Sequence, residues 1–104
     1  MNRDKNLPLT ETTYYILLAL LEAAHGYVIM QKVEELSAGQ VRIAAGTLYG
    51  AIENLLKVGL IQSVKSDDSR RKVYIITEKG KEILNLDFQR MQHMINITSK
   101  LIQK

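Results

Sequence analysis

In residues 46–80, GTLYGAIENLLKVGLIQSVKSDDSRRKVYIITEKG, the apolar period changes once, and that change decides the fold. Up to Lys57 the apolar residues fall at Leu48, Ile52, Leu55 and Leu56, the spacing of a helix with one buried stripe. The other face carries Thr47, Tyr49, Gly50, Glu53, Asn54 and Lys57. Gly59, a residue able to take positive φ, stops the helix just past its last periodic position. Leu60-Ile61-Gln62-Ser63-Val64-Lys65 then opens an extended run, and Asp67-Asp68-Ser69 supplies turn chemistry. The return run, Arg71 to Thr77, is rich in β-branched and aromatic residues. One helix followed by one hairpin is predicted, with Lys65, Arg70, Arg71 and Lys72 near the hairpin tip.

Outward from that stretch, residues 1–8 are polar, end in the only proline and predict a frayed, flexible arm. Thr10 is a suitable N-cap with Glu11 in the first turn, and Tyr14-Tyr15-Ile16-Leu17-Leu18-Ala19-Leu20-Leu21 is apolar nearly all round. A helix that oily needs partners on more than one side, which suggests a central helix that also faces a second subunit. Ala23-Ala24-His25-Gly26 reads as a break. Val28, Ile29, Val33 and Leu36 mark a second helix ending near Ser37-Ala38-Gly39, and Val41-Arg42-Ile43 reads as a short extended piece able to pair with the hairpin as a third strand. This order is that of a winged helix-turn-helix, a module that reads DNA. The expected fold class is therefore mainly α with a small β-hairpin (α+β).

After Thr77-Glu78-Lys79-Gly80 a last helix is predicted almost to Lys104. Leu84, Phe88, Met91, Ile95, Thr98 and Ile102 follow steps of four, three, four, three and four, the alternation of a coiled-coil seam. The other helices already form a core, so this broad face predicts homodimerisation through Tyr14, Tyr15 and Leu18 of the first helix with that seam of the last. Residues 1–80 are read as the DNA-binding domain and 81–104 as a dimerisation helix.

The chain resembles the PadR family of bacterial transcriptional regulators through His25-Gly26-Tyr27, Gly46-Thr47-Leu48-Tyr49, Gly59-Leu60-Ile61, Arg70-Arg71-Lys72 with Tyr74, and Thr77 with Gly80. The last helix fits the family's short subclass, so the resemblance covers nearly the whole chain. Two features differ: Gly50 stands where the family often has proline, and this chain has no tryptophan. The resemblance implies a homodimeric repressor and, in several relatives, an apolar or aromatic effector sensed near the first and last helices.

The bulk numbers fit that reading. At 104 residues the chain is one domain, close to the size where association aids stability. It has no cysteine, which removes disulfides and thiolate metal sites and fits a reducing cytoplasm. No apolar run approaches the roughly 20 residues of a membrane span, so a cytoplasmic protein without membrane contact is expected. The net charge of +3 is unevenly placed: residues 1–40 carry a net −2, residues 41–80 a net +3 and residues 81–104 a net +2. The basic excess falls on the reading segment and the tail, as phosphate contact requires.

Residue chemistry then names candidate contacts. On the reading helix Thr47, Tyr49, Gly50, Asn54 and Lys57 face outward: asparagine bonds an adenine edge twice, a threonine methyl packs on thymine, and glycine permits close approach. Lys65, Arg70, Arg71 and Lys72 suit phosphates or a minor groove. Tyr27 and Lys32 of the second helix are further phosphate candidates, whereas His25 and Gly26 are read as structural. Tyr14, Tyr15, Met91 and Met94 are the expected walls of an effector pocket, since methionine and tyrosine adapt to apolar aromatic ligands. The two histidines, His25 and His93, lack acidic neighbours at ligand spacing, so neither a metal nor any other cofactor is expected. No phosphate loop, nucleophile motif or carboxylate pair suggests an enzyme. The rival to a sequence-specific repressor is a winged helix that docks onto an acidic protein.

Overall fold

The computed structural model describes residues 4–66 and 70–103. The expected turn at Asp67-Asp68-Ser69 and the first three residues of the expected arm lie outside the described residues. The elements are α1 (Glu11–Ala19), β1 (Ala24–His25), α2 (Gly26–Leu36), α3 (Ala45–Lys57), β2 (Ile61–Val64), β3 (Val73–Ile76) and α4 (Glu78–Ile102). Four helices with a three-stranded antiparallel sheet make the α+β winged helix expected from the sequence.

The core is built where the periodicities put it. Ile16, Leu17 and Leu20 of α1 and its C-cap, Ile29 and Val33 of α2, and Leu48, Ile52 and Leu55 of α3 are buried together against Leu60, Ile61, Tyr74 and Ile76 of the sheet. Thr10 caps α1 by accepting the Thr13 N–H at 3.1 Å. Residues 4–8, expected as part of a frayed arm, instead include a turn closed from Leu7 N–H to Asp4 O at 3.0 Å, and Leu7, like the following Leu9, packs against the core. Apolar side chains at those two positions give this segment something to bury, which its polar neighbours had obscured.

The third strand is not the one expected. Ala24–His25 occupies the free edge of β3, with Ala24 opposite Tyr74 and His25 opposite Val73, so the sheet order is β1-β3-β2. Val41-Arg42-Ile43 pairs with nothing because its backbone is engaged locally: the Ser37 hydroxyl accepts Val41 N–H at 2.9 Å and lies 3.3 Å from Val41 O. Arg42 reaches back to Glu34 at 2.9 Å. The segment is the turn of the helix-turn-helix, tied to the end of α2.

α3 ends as glycine dictates. Gly59, at φ +78, sends its N–H to Leu56 O at 3.1 Å while Leu60 N–H reaches Leu55 O at 3.0 Å, so the chain leaves the helix directly into β2. That exit is clamped to the start of α4. The Thr77 hydroxyl donates to Gly59 O at 2.7 Å and accepts Gly80 N–H at 3.0 Å, Thr77 N–H bonds Leu60 O at 3.0 Å, and Lys79 Nζ bonds Val58 O at 3.0 Å. Gly80 is needed there because any β-carbon would collide with the Leu60 carbonyl oxygen and come within 2.6 Å of Ile76 Cγ1.

α4 then has two halves. Ile83, Leu84 and Asp87 are buried against the core, so Leu84, expected at a dimer seam, packs inside its own chain. Beyond Met91 every described residue is exposed. The helix is roughly 37 Å long at 1.5 Å per residue and accounts for much of the 57 Å long axis.

Two glycine substitutions separate packing from propensity. Gly80→Ala should destabilise the fold by about 2 to 3 kcal/mol, since the clash is with backbone that cannot yield. Gly50→Ala, where nothing lies within 4 Å of the added carbon, should stabilise by up to about 1 kcal/mol. Urea unfolding of both variants checks the contrast.

Candidate nucleic-acid interface

The outward face of α3 is unusually bare. Leu48, Ile52 and Leu55 turn inward, leaving Thr47, Tyr49, Gly50, Asn54 and Lys57 exposed on the other side. Gly46 and Gly50, one turn apart, both look into open space, so the helix backbone itself can come close to a partner. Ala44, its N-cap, makes no side-chain cap and the first turn has no acid. The same holds at the start of α2, where His25 is the N-cap. α1 and α4, by contrast, begin with a threonine cap and a glutamate in the first turn. The two uncapped helices thus keep unsatisfied N–H groups and positive dipole ends, which favour anions.

The start of α2, Tyr49 of α3 and the wing line a groove of about 680 Å³, with His25, Tyr27, Gln31, Arg70, Arg71 and Lys72 among its residues. Tyr49 is half-exposed, but its phenol leans back across the helix start: a β-carbon on Gly26 would lie 2.7 Å from Tyr49 Oη. It also approaches Tyr74, whose hydroxyl pKa is raised by burial first and by the Tyr49 phenol second. Tyr49 therefore ties α3 to α2 and β3 while one side of its ring remains open. Arg71 Nη1 lies 3.4 Å from His25 Nε2, which joins the wing to the β1–α2 turn.

The structure brings Tyr27, Tyr49, Arg70, Arg71 and Lys72 together in that groove, with Thr47, Gly50, Asn54 and Lys57 on the adjoining face of α3. Lys65 is exposed just beyond β2. Lys32 stands apart: it turns toward α1, where its Nζ is 4.0 Å from Glu22 and it borders Leu18 and Leu21. Four groove-lining residues are not among the contacts expected from the sequence: His25, Gly26, Val28 and Gln31. The signal for Gln31 was its position four residues after Tyr27, on the same helix face.

A second cavity, about 490 Å³, lies between α1 and α4. Tyr14, Tyr15 and Met91 line it. Met94 does not line it; its sulfur lies 3.7 Å from Arg90 Nη1. Asp87 and Arg90 do line it and were not anticipated. The Asp87 carboxylate is buried and accepts Arg90 Nε–H at 2.7 Å. Burial first, and that carboxylate second, raise the Tyr14 pKa. An acid set within an apolar stripe with arginine three residues later was the available signal. Of the other seam residues, Phe88, Ile95 and Ile102 are 51, 63 and 72% exposed, Thr98 is exposed, and Tyr14, Tyr15, Leu18 and Met91 are half-buried. Among the described residues no cluster of His, Asp and Glu could hold a metal, and no helix is long and apolar enough to cross a membrane.

A bare helix flanked by a basic wing, over a helix-turn-helix core, defines the DNA-binding winged-helix class. The chain belongs to the PadR-like family of transcriptional regulators, whose profile matches residues 15–86. Its structure is similar to a PadR family transcriptional regulator from Eggerthella lenta, with TM-score 0.71 and 26% identity over 88% of this chain and 81% of that one. It is also similar to a PadR family transcription regulator from Clostridium difficile, with TM-score 0.70 and 25% identity over 86% of this chain and 97% of that one. A PadR-like regulator from Bacillus cereus shares the fold, with TM-score 0.70 and 24% identity over 89% and 91%. Comparison with curated protein sequences finds no match.

The two perturbed phenols set an alkaline limit. Both are raised above the ordinary 10.0, so the unfolded chain loses these protons before the folded one does. Stability should be complete below about pH 10 and fall as pH rises through the folded values. Urea midpoints across that range should show the decline, and Tyr14→Phe or Tyr74→Phe should each make it shallower.

Proposed function

We propose that the protein is a homodimeric, sequence-specific repressor of the PadR type. Each α3 enters a major groove with Thr47, Gly50 and Asn54 toward base edges. Tyr27, Tyr49 and Lys57 meet nearby backbone, and Lys65, Arg70, Arg71 and Lys72 of the wing grip flanking phosphates. Lys32 contributes long-range charge only, given its place beside Glu22. The observation that carries this reading is a groove in which Tyr49 of α3 meets three wing cations, on a helix whose Gly46 and Gly50 leave its outer face open.

Dimerisation is proposed from α4. Ile95, Leu101 and Ile102 are exposed on a helix that has left its own core, beside the exposed Phe88 and half-buried Leu18. Such a face in water is unfavourable by roughly 25 cal/mol per Å², and a second α4 covers it under twofold symmetry. The two reading helices then require a pseudo-palindromic operator with half-sites about 10 base pairs apart, or a multiple of that. A small apolar or aromatic effector in the α1–α4 cavity releases the repressor by favouring a different spacing of those helices, and only its differential affinity for the two arrangements can do so.

Selection of bound duplexes from a random DNA pool tests the whole reading: an enriched inverted repeat supports it, and an unenriched pool with folded, dimeric protein favours protein docking. On the selected duplex, Arg71→Ala should weaken binding to all sequences and reduce the salt slope by about 1, whereas Asn54→Ala should relax preference at one position per half-site. Ile95→Asp should shift the protein toward monomer in sedimentation and weaken operator binding while leaving the winged-helix circular dichroism intact.

A further inference from the structure

We propose that His25 is a positioning residue of the reading surface, its Nε2 steering the Arg71 guanidinium to the mouth of the groove beside Tyr27 and Tyr49. The inference rests on the DNA-binding reading above and deepens it: the β1–α2 turn and the wing present their contacts as one unit.

Strand register sets up the pair. β1 is only two residues long and places His25 directly opposite Val73 of β3. Arg71 lies in the bend two residues before Val73, just outside β3, so a long side chain there is within reach of His25. The observed separation, 3.4 Å between Arg71 Nη1 and His25 Nε2, fits that geometry. His25 is at the same time the N-cap residue of α2, yet its side chain makes no capping bond. The ring is therefore left to interact outward with the wing.

Hydrogen-bond chemistry gives the pair a direction. A guanidinium carries donors and no acceptor, so Nε2 has to accept, which fixes the proton of the neutral ring on Nδ1. His25 is thus assigned a tautomer as well as a partner. The adjacent residue completes the arrangement: Gly26 lacks the β-carbon that would displace the Tyr49 hydroxyl. Two consecutive residues, His25 and Gly26, consequently set the wing arginine and the reading-helix tyrosine over one groove.

The experiment is a double-mutant cycle on the selected duplex with ring-nitrogen NMR of the free protein. His25→Ala should cost about three- to tenfold in affinity, the range of a single hydrogen bond, and His25→Gln should recover most of it because Gln Oε1 accepts at similar reach. In an Arg71→Ala background His25→Ala should cost less than twofold. Equal costs in both backgrounds, or a Gln variant as weak as the Ala variant, would overturn the proposal. In the free protein the His25 ring should carry its proton on Nδ1 and shift toward Nε2 protonation in Arg71→Ala; Nε2 protonation in the wild type would also overturn it. That spectrum decides the His25–Arg71 pairing even if no duplex is selected, in which case it is the DNA-binding reading that has failed.

Discussion

The bond from the Thr77 hydroxyl to the Gly59 carbonyl, with the close approach of Gly80 to Leu60 beside it, is the constraint on which the rest of the structure depends. It joins the exit of the reading helix to the start of the last helix across 18 residues of chain. Between those points lie β2, the wing and β3, so closing the junction closes the hairpin and aims it. Thr77 serves three purposes with few atoms: hydroxyl donor to Gly59, acceptor for Gly80 N–H, and backbone donor to Leu60. Without Thr77 the half-buried Gly59 carbonyl and that of the buried Leu60 would lose these partners, and a buried carbonyl left unpaired costs about 1 to 3 kcal/mol. Ile76 N–H, bonded to Leu20 O at 2.9 Å, extends the same clamp to the end of α1. The wing, the reading helix and the base of α4 therefore move together.

A rigid frame makes the difference between helix starts meaningful. α1 and α4 are finished with threonine caps and acids. α2 and α3 begin with Gly26 and Tyr27, and with Gly46 and Thr47, in their first turns and no acid among them; Gly26 and Tyr27 line the groove. Capping residues would stabilise those two helices by about 1 kcal/mol each. The chain forgoes that and leaves N–H groups for a partner to satisfy, while the wing contributes Arg70, Arg71 and Lys72 from the other side of the same groove.

The glycine-terminated helix, the hairpin and the long last helix were legible because each rests on local signals: periodicity, Gly59, and the Thr77 cap with Gly80 three residues on. What was not legible depended on competition between distant segments. Val41-Arg42-Ile43 and Ala24–His25 are both short and extended, and nothing local says which completes the sheet. The outcome is set by Ser37, which takes up the Val41 backbone, and by the edge of β3 that β1 can reach. Lys32 shows the same dependence: helical phase permits either side, and in the fold its Nζ lies 4.0 Å from Glu22 of the α1–β1 connection. The seam of α4 was read as uniform, yet its first turns are absorbed by the core, leaving Ile83, Leu84 and Asp87 buried.

That division of α4 gives the proposed regulation its mechanics. The buried half is fixed to the DNA-reading frame and the other half is exposed, so in the proposed dimer the angle of the helix at their boundary would set the separation of the two reading helices. Asp87 and Arg90 lie at that boundary and line the α1–α4 cavity. A carboxylate as enclosed as Asp87 is tolerable because Arg90 bonds it directly, and a buried pair of this kind loses far more from one missing partner than it contributes when intact. A ligand in the cavity that competed for Arg90 would leave Asp87 uncompensated beside Tyr14. In the proposed dimer, a shift of α1 relative to α4 that returned Asp87 to water would relieve that charge and change the separation of the two reading helices.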